Sequence, residues 1–450
     1  MLVALNARHL AGAAEPLFPR LSYLLFDVTG GGSAIWTYLP LFFGPALSEL
    51  ALGVAFDTPR KTSPGSISAI EHGLSSLPRF SPHLSTLRLN LSDLSGCKAV
   101  TKLLSRLPSL HVIDLRTDPI SSSRLLQIMS LSSLDGLGLQ LSSRATKAIK
   151  TAPQGTSNAF FAGLRSLDLR AHSLKSEDQF SCAREFLEQT QPKNLESISL
   201  SGFGFKHDEE CYILRSLCRS LVEIIPPDNL KSFTVICKIH EDLRPMRILF
   251  DRIEPLLSFH KLEIFSFTCR GSRAPSFHLD DNKLEQCAIA WPQLRQLVLI
   301  GNDSNTRRNA VRPSFLGLRS LVSHCRHLEI LNLDFDLSDV CIMLPLNRRP
   351  AEGLENRLIQ KLGVRYSHAG DGGAVAAVLL DLFPNLASVD YHQNNRDNFE
   401  WDRVNSLLPV LSAVRGWGWP VLPSTGDNRD YINLWSQWYN DKPRVTVTYM

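Results

Sequence analysis

Apolar positions along the chain recur in a fixed local pattern, L-x-x-L-x-L, with Ile, Val or Phe substituting for Leu. Clear copies are Leu84-Leu87-Leu89, Leu110-Ile113-Leu115, Leu134-Leu137-Leu139, Leu164-Leu167-Leu169 and Leu195-Ile198-Leu200. They continue with Leu230-Phe233-Val235, Leu262-Phe265-Phe267, Leu294-Leu297-Leu299 and Leu328-Leu331-Leu333. Weaker copies stand at Leu21-Leu24-Phe26, Leu47-Leu50-Leu52, Ile359-Leu362-Val364 and Leu386-Val389-Tyr391. The second and third positions alternate, so both face one side of a short strand. One such strand cannot bury that side alone, whereas parallel stacking gives all copies one shared core.

Start-to-start spacings run from 24 residues (Leu110 to Leu134) to 37 (Leu47 to Leu84), which leaves room in each unit for a return helix. Helical apolar spacing appears at Val100, Leu103, Leu104 and Leu107, and at Phe180, Phe186 and Leu187. Pro19, Pro108, Pro292 and Pro384 each sit two residues before the first Leu of a unit and mark a turn into the strand. The expectation is an α/β solenoid: a parallel strand ladder on the concave face and helices on the convex face, over residues 21–395. An ordinary α/β sheet with Leu-rich strands is the alternative, and the repetition of the offsets disfavours it. Stretches rich in Ser, Gly, Pro or charge at 57–68, 151–158, 202–210, 270–283, 301–313 and 345–357 read as loops. Residues 1–20 read as an N-terminal cap.

Residues 396–450 change character, because Trp401, Trp417, Trp419, Trp435 and Trp438 lie there. Val404, Leu407, Leu408 and Leu411 read as one helical face. An open solenoid needs its last apolar layer covered, so this Trp-rich segment reads as a C-terminal cap, with a ligand cage as the alternative.

Composition removes several function classes. The chain has 450 residues and a net charge of +4 from 48 Lys and Arg against 44 Asp and Glu, so it carries no strongly basic footprint for nucleic acid. No run of about 18 apolar residues occurs, so no membrane span is expected. The short apolar stretches of the N-terminus, broken by Asn6, Arg8, His9 and Glu15, do not read as a signal peptide. Nine cysteines without a CxxC pair fit a reduced cytoplasmic or nuclear setting.

A search for catalytic chemistry finds little. No GxSxG, HExxH, Walker-type or dinucleotide-binding signature is present. Gly30-Gly31-Gly32-Ser33 lacks the Lys that would hold phosphate, and His324-Cys325-Arg326-His327 enters a strand with Cys325 at a core position. Arg307, Arg308, Arg312, Arg348 and Arg349 read as solvated loop charges. The expectation is a non-enzyme with no cofactor and no metal. A catalytic or GTPase-activating solenoid would need a placed arginine or nucleophile that the sequence does not single out.

Candidate partner contacts are the residues between the core leucines, which point onto the concave face. The N-terminal half offers a charged column, Arg88, Asp114, Arg116, Asp168 and Arg170. The C-terminal half offers an apolar one, Ile236, Ile264, Val298, Ile300 and Ile330. A contiguous exposed aliphatic row suggests that a protein segment lies along this face. The competing reading is a solvated sheet face on which Asp114 with Arg116, and Asp168 with Arg170, pair at small energetic worth.

The entries Phe18-Pro19-Arg20-Leu21, Leu107-Pro108-Ser109-Leu110, Trp291-Pro292-Gln293-Leu294, Phe383-Pro384-Asn385-Leu386 and Cys325-Arg326-His327-Leu328 resemble the long, irregular leucine-rich repeats of fungal F-box-like proteins. So do Ala14-Glu15-Pro16-Leu17-Phe18-Pro19 and Leu39-Pro40-Leu41-Phe42-Phe43-Gly44-Pro45-Ala46-Leu47. The resemblance covers roughly residues 5–395. It implies a substrate-recognition solenoid that feeds a cullin ubiquitin ligase through a Skp-type adaptor. The chain departs from the pattern in two ways. The Asn ladder of regular repeats is reduced to Asn302 and Asn394, and no complete F-box precedes the repeats. At most its last helix, around Leu2 to Leu10, remains, which makes residues 1–20 a cap or an F-box remnant. Adaptor binding is expected only if that remnant keeps the function. Otherwise the solenoid is a scaffold or regulator with no ligase link.

Overall fold

A computed structural model describes residues 16–26, 33–53, 64–90, 100, 103–115, 122–129, 131, 133–141, 146, 161, 163–171, 179–204, 208–238, 247–270, 276–301, 311–340, 350–392 and 397–416. Every L-x-x-L-x-L copy supplies one strand. The strands are β1 (Tyr23–Phe26), β2 (Glu49–Leu52), β3 (Thr86–Leu89), β4 (Val112–Leu115), β5 (Gly136–Leu141), β6 (Ser166–Ala171), β7 (Ser197–Phe203) and β8 (Ser232–Lys238). After β9 (Arg247–Leu249) come β10 (Ile264–Arg270), β11 (Ser276–His278), β12 (Gln296–Ile300), β13 (Ile330–Asn332), β14 (Lys361–Arg365) and β15 (Ser388–Tyr391). All except β9 and β11 form one 13-stranded sheet in chain order, parallel at each junction. The fold is the α/β leucine-rich repeat solenoid.

The alternation sets which side is core. Leu87, Leu89, Ile113, Leu167, Leu169, Ile198, Leu200, Phe233, Val235, Phe265 and Phe267 are buried in one continuous cluster along the sheet. The return path is helical in α1 (Pro64–Phe80), α2 (Ser122–Met129), α3 (Gln179–Thr190), α4 (Asp208–Ile224), α5 (Asp281–Ala290), α6 (Phe315–His324), α7 (Gly372–Leu382) and α8 (Asn398–Gly416). Neighbouring units pack helix on helix, as α3 on α4, α5 on α6 and α7 on α8. Helix α1 begins inside 57–68, which the composition had suggested as a loop. Its Pro64 lies at the first position, where a missing N–H costs nothing. Likewise 270–283 contains β11, which pairs with β9 in a separate two-stranded parallel sheet. Three residues per strand are too few for alternation to reveal them.

The entry into many of the strands has one geometry. The N–H of the first Leu donates to the carbonyl three residues earlier: Leu110 to Leu107 (3.3 Å), Leu164 to Phe161 (3.0 Å), Leu262 to Phe259 (3.1 Å), Leu294 to Trp291 (3.0 Å), Leu328 to Cys325 (3.2 Å) and Leu386 to Phe383 (3.0 Å). Proline suits the second position of such a turn because its ring presets φ. The accepting residue in each of these turns is buried, so it anchors the turn while the leucine opens the strand.

Carboxylates stitch one unit to the next. Asp281 Oδ1 accepts from Ser314 N (2.6 Å) and Gly317 N (3.0 Å), and its Oδ2 from Ser314 Oγ (2.7 Å). These donors open α6, whose cap Ser314 also accepts from Leu316 N (3.1 Å). Glu400 Oε2 likewise accepts from Gly372 N (2.8 Å) at the start of α7, and Asp381 Oδ2 from Ala351 N (2.9 Å). Negative charge at a helix start satisfies orphan donors and complements the helix dipole.

Helix α8 lies against the last strand. Asn405 Oδ1 accepts from Val389 N (2.7 Å) and Asn405 Nδ2 donates to Val389 O (2.9 Å), so a side-chain amide stands where another strand would pair. Trp401 is fully buried and its Nε1 donates to Ser367 O (3.1 Å). Val404 and Leu408 are buried beside it, with Leu407 and Leu411 packed at the margin. Trp417, Trp419, Trp435 and Trp438 lie outside the described residues, as do most of residues 1–20, Asn302 and Asn394. Among the described residues no helix is long and apolar enough to cross a membrane.

Candidate functional site

The face opposite the core leucines carries the candidate partner contacts, and the strand register fixes which of them are neighbours. Three columns run across it. The first contains Thr86, Val112, Gly136, Ser166, Ser197, Ser232, Ile264, Gln296 and Ile330. The second contains Arg88, Asp114, Gly138, Asp168, Ser199, Thr234, Ser266, Val298 and Asn332. The third contains Gln140, Arg170, Ser201, Ile236, Thr268 and Ile300.

This corrects the single apolar column drawn from the sequence. Ile264 and Ile330 share the first column but are separated by Gln296. Ile236 and Ile300 share the third, separated by Thr268. Val298 lies in the second, and it is 8% exposed whereas Ile330 is 48% exposed. Spacing within one repeat gives the face a residue points to; which residue lies beside it depends on the register between repeats. The result is an aliphatic patch broken by polar residues, not a row.

The charged set is also rearranged. Arg88, Asp114 and Asp168 fall in the second column, Arg170 in the third, and Arg116 lies outside the described residues. Arg170 Nε donates to Asp168 Oδ2 (3.1 Å), its Nη2 also bonds that oxygen, and its Nη2 lies 3.8 Å from Asp114 Oδ2. One guanidinium thus holds two carboxylates from β4 and β6, bridging across β5. Gly138 makes the bridge possible: a Cβ there would lie 2.5 Å from Asp114 Oδ1. The three side chains are 14–28% exposed, so the cluster is sunk into the face. Between it and the aliphatic patch lie Ser197, Ser199 and Ser201 on β7, with Ser232 and Thr234 on β8. That stretch is hydroxyl-lined.

A feature that single-repeat reading missed borders this face. In the eight units from Leu110 to Leu328 the residue after the first Leu forms a charged rim column: His111, Asp135, Arg165, Glu196, Lys231, Glu263, Arg295 and Glu329; in the other five units it is Ser22, Ser48, Ser85, Gln360 or Ala387. Its sign alternates without a break, counting His111 as the cationic partner it becomes on protonation. The backbone forces the column together, because each carbonyl accepts two N–H groups of the next unit. Glu196 O, for instance, accepts from Lys231 N (2.7 Å) and Ser232 N (3.0 Å). Side-chain pairs follow: His111 to Asp135 (3.6 Å), Arg165 to Glu196 (3.3 Å), Lys231 to Glu196 (2.7 Å) and Arg295 to Glu329 (2.7 Å).

The hydrogen bond from Lys231 holds the Glu196 carboxyl below its ordinary value; burial opposes it, and the charges of Lys231 and Arg165 add smaller downward effects. Lys231 is pushed up, first by its bond to Glu196, and also by the field of Glu263. Arg295 is held up by its bond to Glu329 and, more weakly, by Glu263. The signal was in the sequence, at one fixed offset, but it emerges only when the repeats are set side by side.

The remaining chemistry does not converge. Cys325 is buried, donates weakly to Trp291 O (3.5 Å), and its thiol is pushed up to about 12 by burial, whereas His324 and His327 are exposed. Among the described residues no His, Cys, Asp and Glu group is placed to hold a metal. A cavity of about 420 Å³ lies between Phe250 and α5, with Asp251, Glu254, His278 and Lys283 in its lining. Asp251 and Glu254 there already face Arg215, each at 3.6 Å.

No family model matches the chain, and no curated protein matches it significantly. Among solved structures it is similar to a chain of the crystal structure of the Rad7 and Elc1 complex in yeast. The TM-score is 0.45 and the identity 14%, over 87% of this chain and 89% of that chain.

Proposed function

We propose that the chain is a protein-recognition module whose partner lies along the face of the sheet opposite the core leucines. The observation that supports this reading is that face itself: thirteen parallel strands present it, with the Asp114, Asp168 and Arg170 cluster toward one end and Ile330, 48% exposed, toward the other. Its aliphatic patch of Ile236, Ile264, Val298, Ile300 and Ile330 suits an apolar anchor. The cluster of Asp114, Asp168 and Arg170 suits a polar contact at the other end. With part of the charge already neutralised inside the cluster, the aliphatic end is the stronger source of affinity. Binding without catalysis is the proposed role.

The finer reading follows from the resemblance of the repeat entries. On it the module selects substrates for a cullin ubiquitin ligase, as F-box-like leucine-rich repeat proteins do. Affinity purification of the 450-residue chain from a fungal extract, with mass spectrometry of what co-purifies, tests it. Recovery of a Skp-type adaptor and a cullin supports the ligase reading. Partners recovered reproducibly without them support a scaffold or regulator.

A further inference from the structure

The rim column poses a question that stability alone does not answer. Exposed ion pairs contribute little each, yet here the sign alternates through eight consecutive units without one exception. A solenoid of similar repeats has two ways to pair wrongly. A strand can slip by one residue against its neighbour, or it can skip a unit and pair with the next but one. The core itself opposes the first, because a one-residue slip turns the buried side chains of that strand outward. It does not oppose the second, because Leu, Ile and Phe are interchangeable along this ladder and core still meets core.

We infer that the alternating rim charges act as a key that selects the native order of the eight repeats from Leu110 to Leu328 and reinforces the register set by their core. The residues flanking each rim charge in sequence are uncharged, an apolar core residue before and Val112, Gly136, Ser166, Ser197, Ser232, Ile264, Gln296 or Ile330 after. A one-residue slip therefore removes every opposite-charge contact at that junction. Skipping a unit does worse, because it sets like against like: Arg165 beside Lys231, Glu196 beside Glu263, Lys231 beside Arg295. Alternation is the simplest pattern that separates the next unit from the one after it. A column of repeated hydrogen-bonding or apolar residues would reward both pairings alike. Glu196 is shared, since it bonds both Arg165 and Lys231, while His111 pairs with Asp135 and Arg295 with Glu329. Glu263 stands between Lys231 and Arg295 in the column, and its charge acts on both. The column therefore couples neighbouring junctions at Glu196 and at Glu263.

The test separates a chain from isolated pairs. The double variant E196K/K231E exchanges two partners that lie 2.7 Å apart. Isolated pairs would be restored by the exchange. A continuous key would not, because Lys at 196 then meets Arg165 and Glu at 231 meets Glu263. Extending the inversion to E196K/K231E/E263K/R295E/E329K leaves only the Arg165 junction mismatched and restores alternation everywhere beyond it.

Denaturation midpoint and refolding yield of the full chain are measured at low salt and at roughly 1 M salt, where screening confines charge interactions to about 3 Å. The expected result is that the double variant loses midpoint and yield. The five-fold variant, though more heavily substituted, recovers most of both, and high salt compresses the differences. A double variant equal to the wild type overturns the inference. So does a five-fold variant below the double, or a series with no differences at low salt.

Discussion

Asp281 offers the most direct check on how one unit is joined to the next. Its carboxylate accepts three hydrogen bonds from the start of α6, at 2.6, 2.7 and 3.0 Å. Asp281→Ala leaves Ser314 N and Gly317 N without that acceptor at a helix start, where no intrahelical partner exists. Hydrogen bonds to a charged group contribute about 1.5–3 kcal/mol each, and the loss of a helix cap costs about 1 kcal/mol. Asp281 is only partly buried and water can reach some of these donors, so the expected loss is about 2–3 kcal/mol, well below the sum. Asp281→Asn keeps one acceptor oxygen and loses the charge, for an expected cost of about 1 kcal/mol. Denaturant unfolding measures the total, and amide hydrogen exchange locates it. Ser314 to Gly317 should lose protection in Asp281→Ala while β1 to β4 keep theirs, because solenoid coupling is between nearest neighbours. An unchanged midpoint with unchanged exchange at Ser314 and Gly317 would refute the reasoning.

Three further outcomes follow from the geometry. Gly138→Val places a side chain where Asp114 Oδ1 would be 2.5 Å from the new Cβ, so the variant should be destabilised by about 1–3 kcal/mol; a midpoint equal to the wild type would mean that the Asp114–Arg170 bridge yields freely. The pair of Glu196, lowered, and Lys231, raised, stabilises the fold between two limits. The Glu196 contribution is lost as pH falls through its folded, depressed value, and that of Lys231 as pH rises through its folded, raised value. Lys231→Met should therefore shift the NMR titration of Glu196 upward, and an unshifted titration would contradict the assignment. Burial raises the thiols of Cys218, Cys287 and Cys325, so these should resist a maleimide near neutral pH in the folded chain and react on unfolding, as read by peptide mass spectrometry. Labelling of any of the three at the rate of a free thiol would show that the core opens more readily than its packing implies.

The repeat was legible because it is a one-dimensional signal. Leu110, Ile113 and Leu115 announce a strand, a core side and a turn from their own neighbourhood, and the structure places all three as expected. The pairing of columns was not legible in the same way. Ile264 and Val298 look like neighbours when the repeats are read one by one. The register puts Ile264 beside Gln296 and Val298 beside Ser266. The rim charges were missed for the opposite reason. Each of them, such as Arg165 or Glu263, reads alone as a solvated surface residue, and only the stacking turns eight of them into a pattern. The separate pair β9 and β11 and the carboxylates that open α6 and α7 are contacts between segments about thirty residues apart. They leave no local trace.

The central claim is that the face of the sheet opposite the core leucines, at its aliphatic end, binds a protein partner. The measurement that tests it most directly is quantitative affinity capture from extract with the wild-type chain beside an Ile264→Asp/Ile330→Asp variant and a control on helix α5, Ile289→Ser. Ile289 and Ile330 are exposed and Ile264 is half-buried, so both variants should stay folded, which circular dichroism checks alongside. The account predicts that partners held by the wild type and by the control are lost from the Ile variant, while its fold is kept. Retention of the same partners at the same level by a folded Ile264→Asp/Ile330→Asp variant would contradict it.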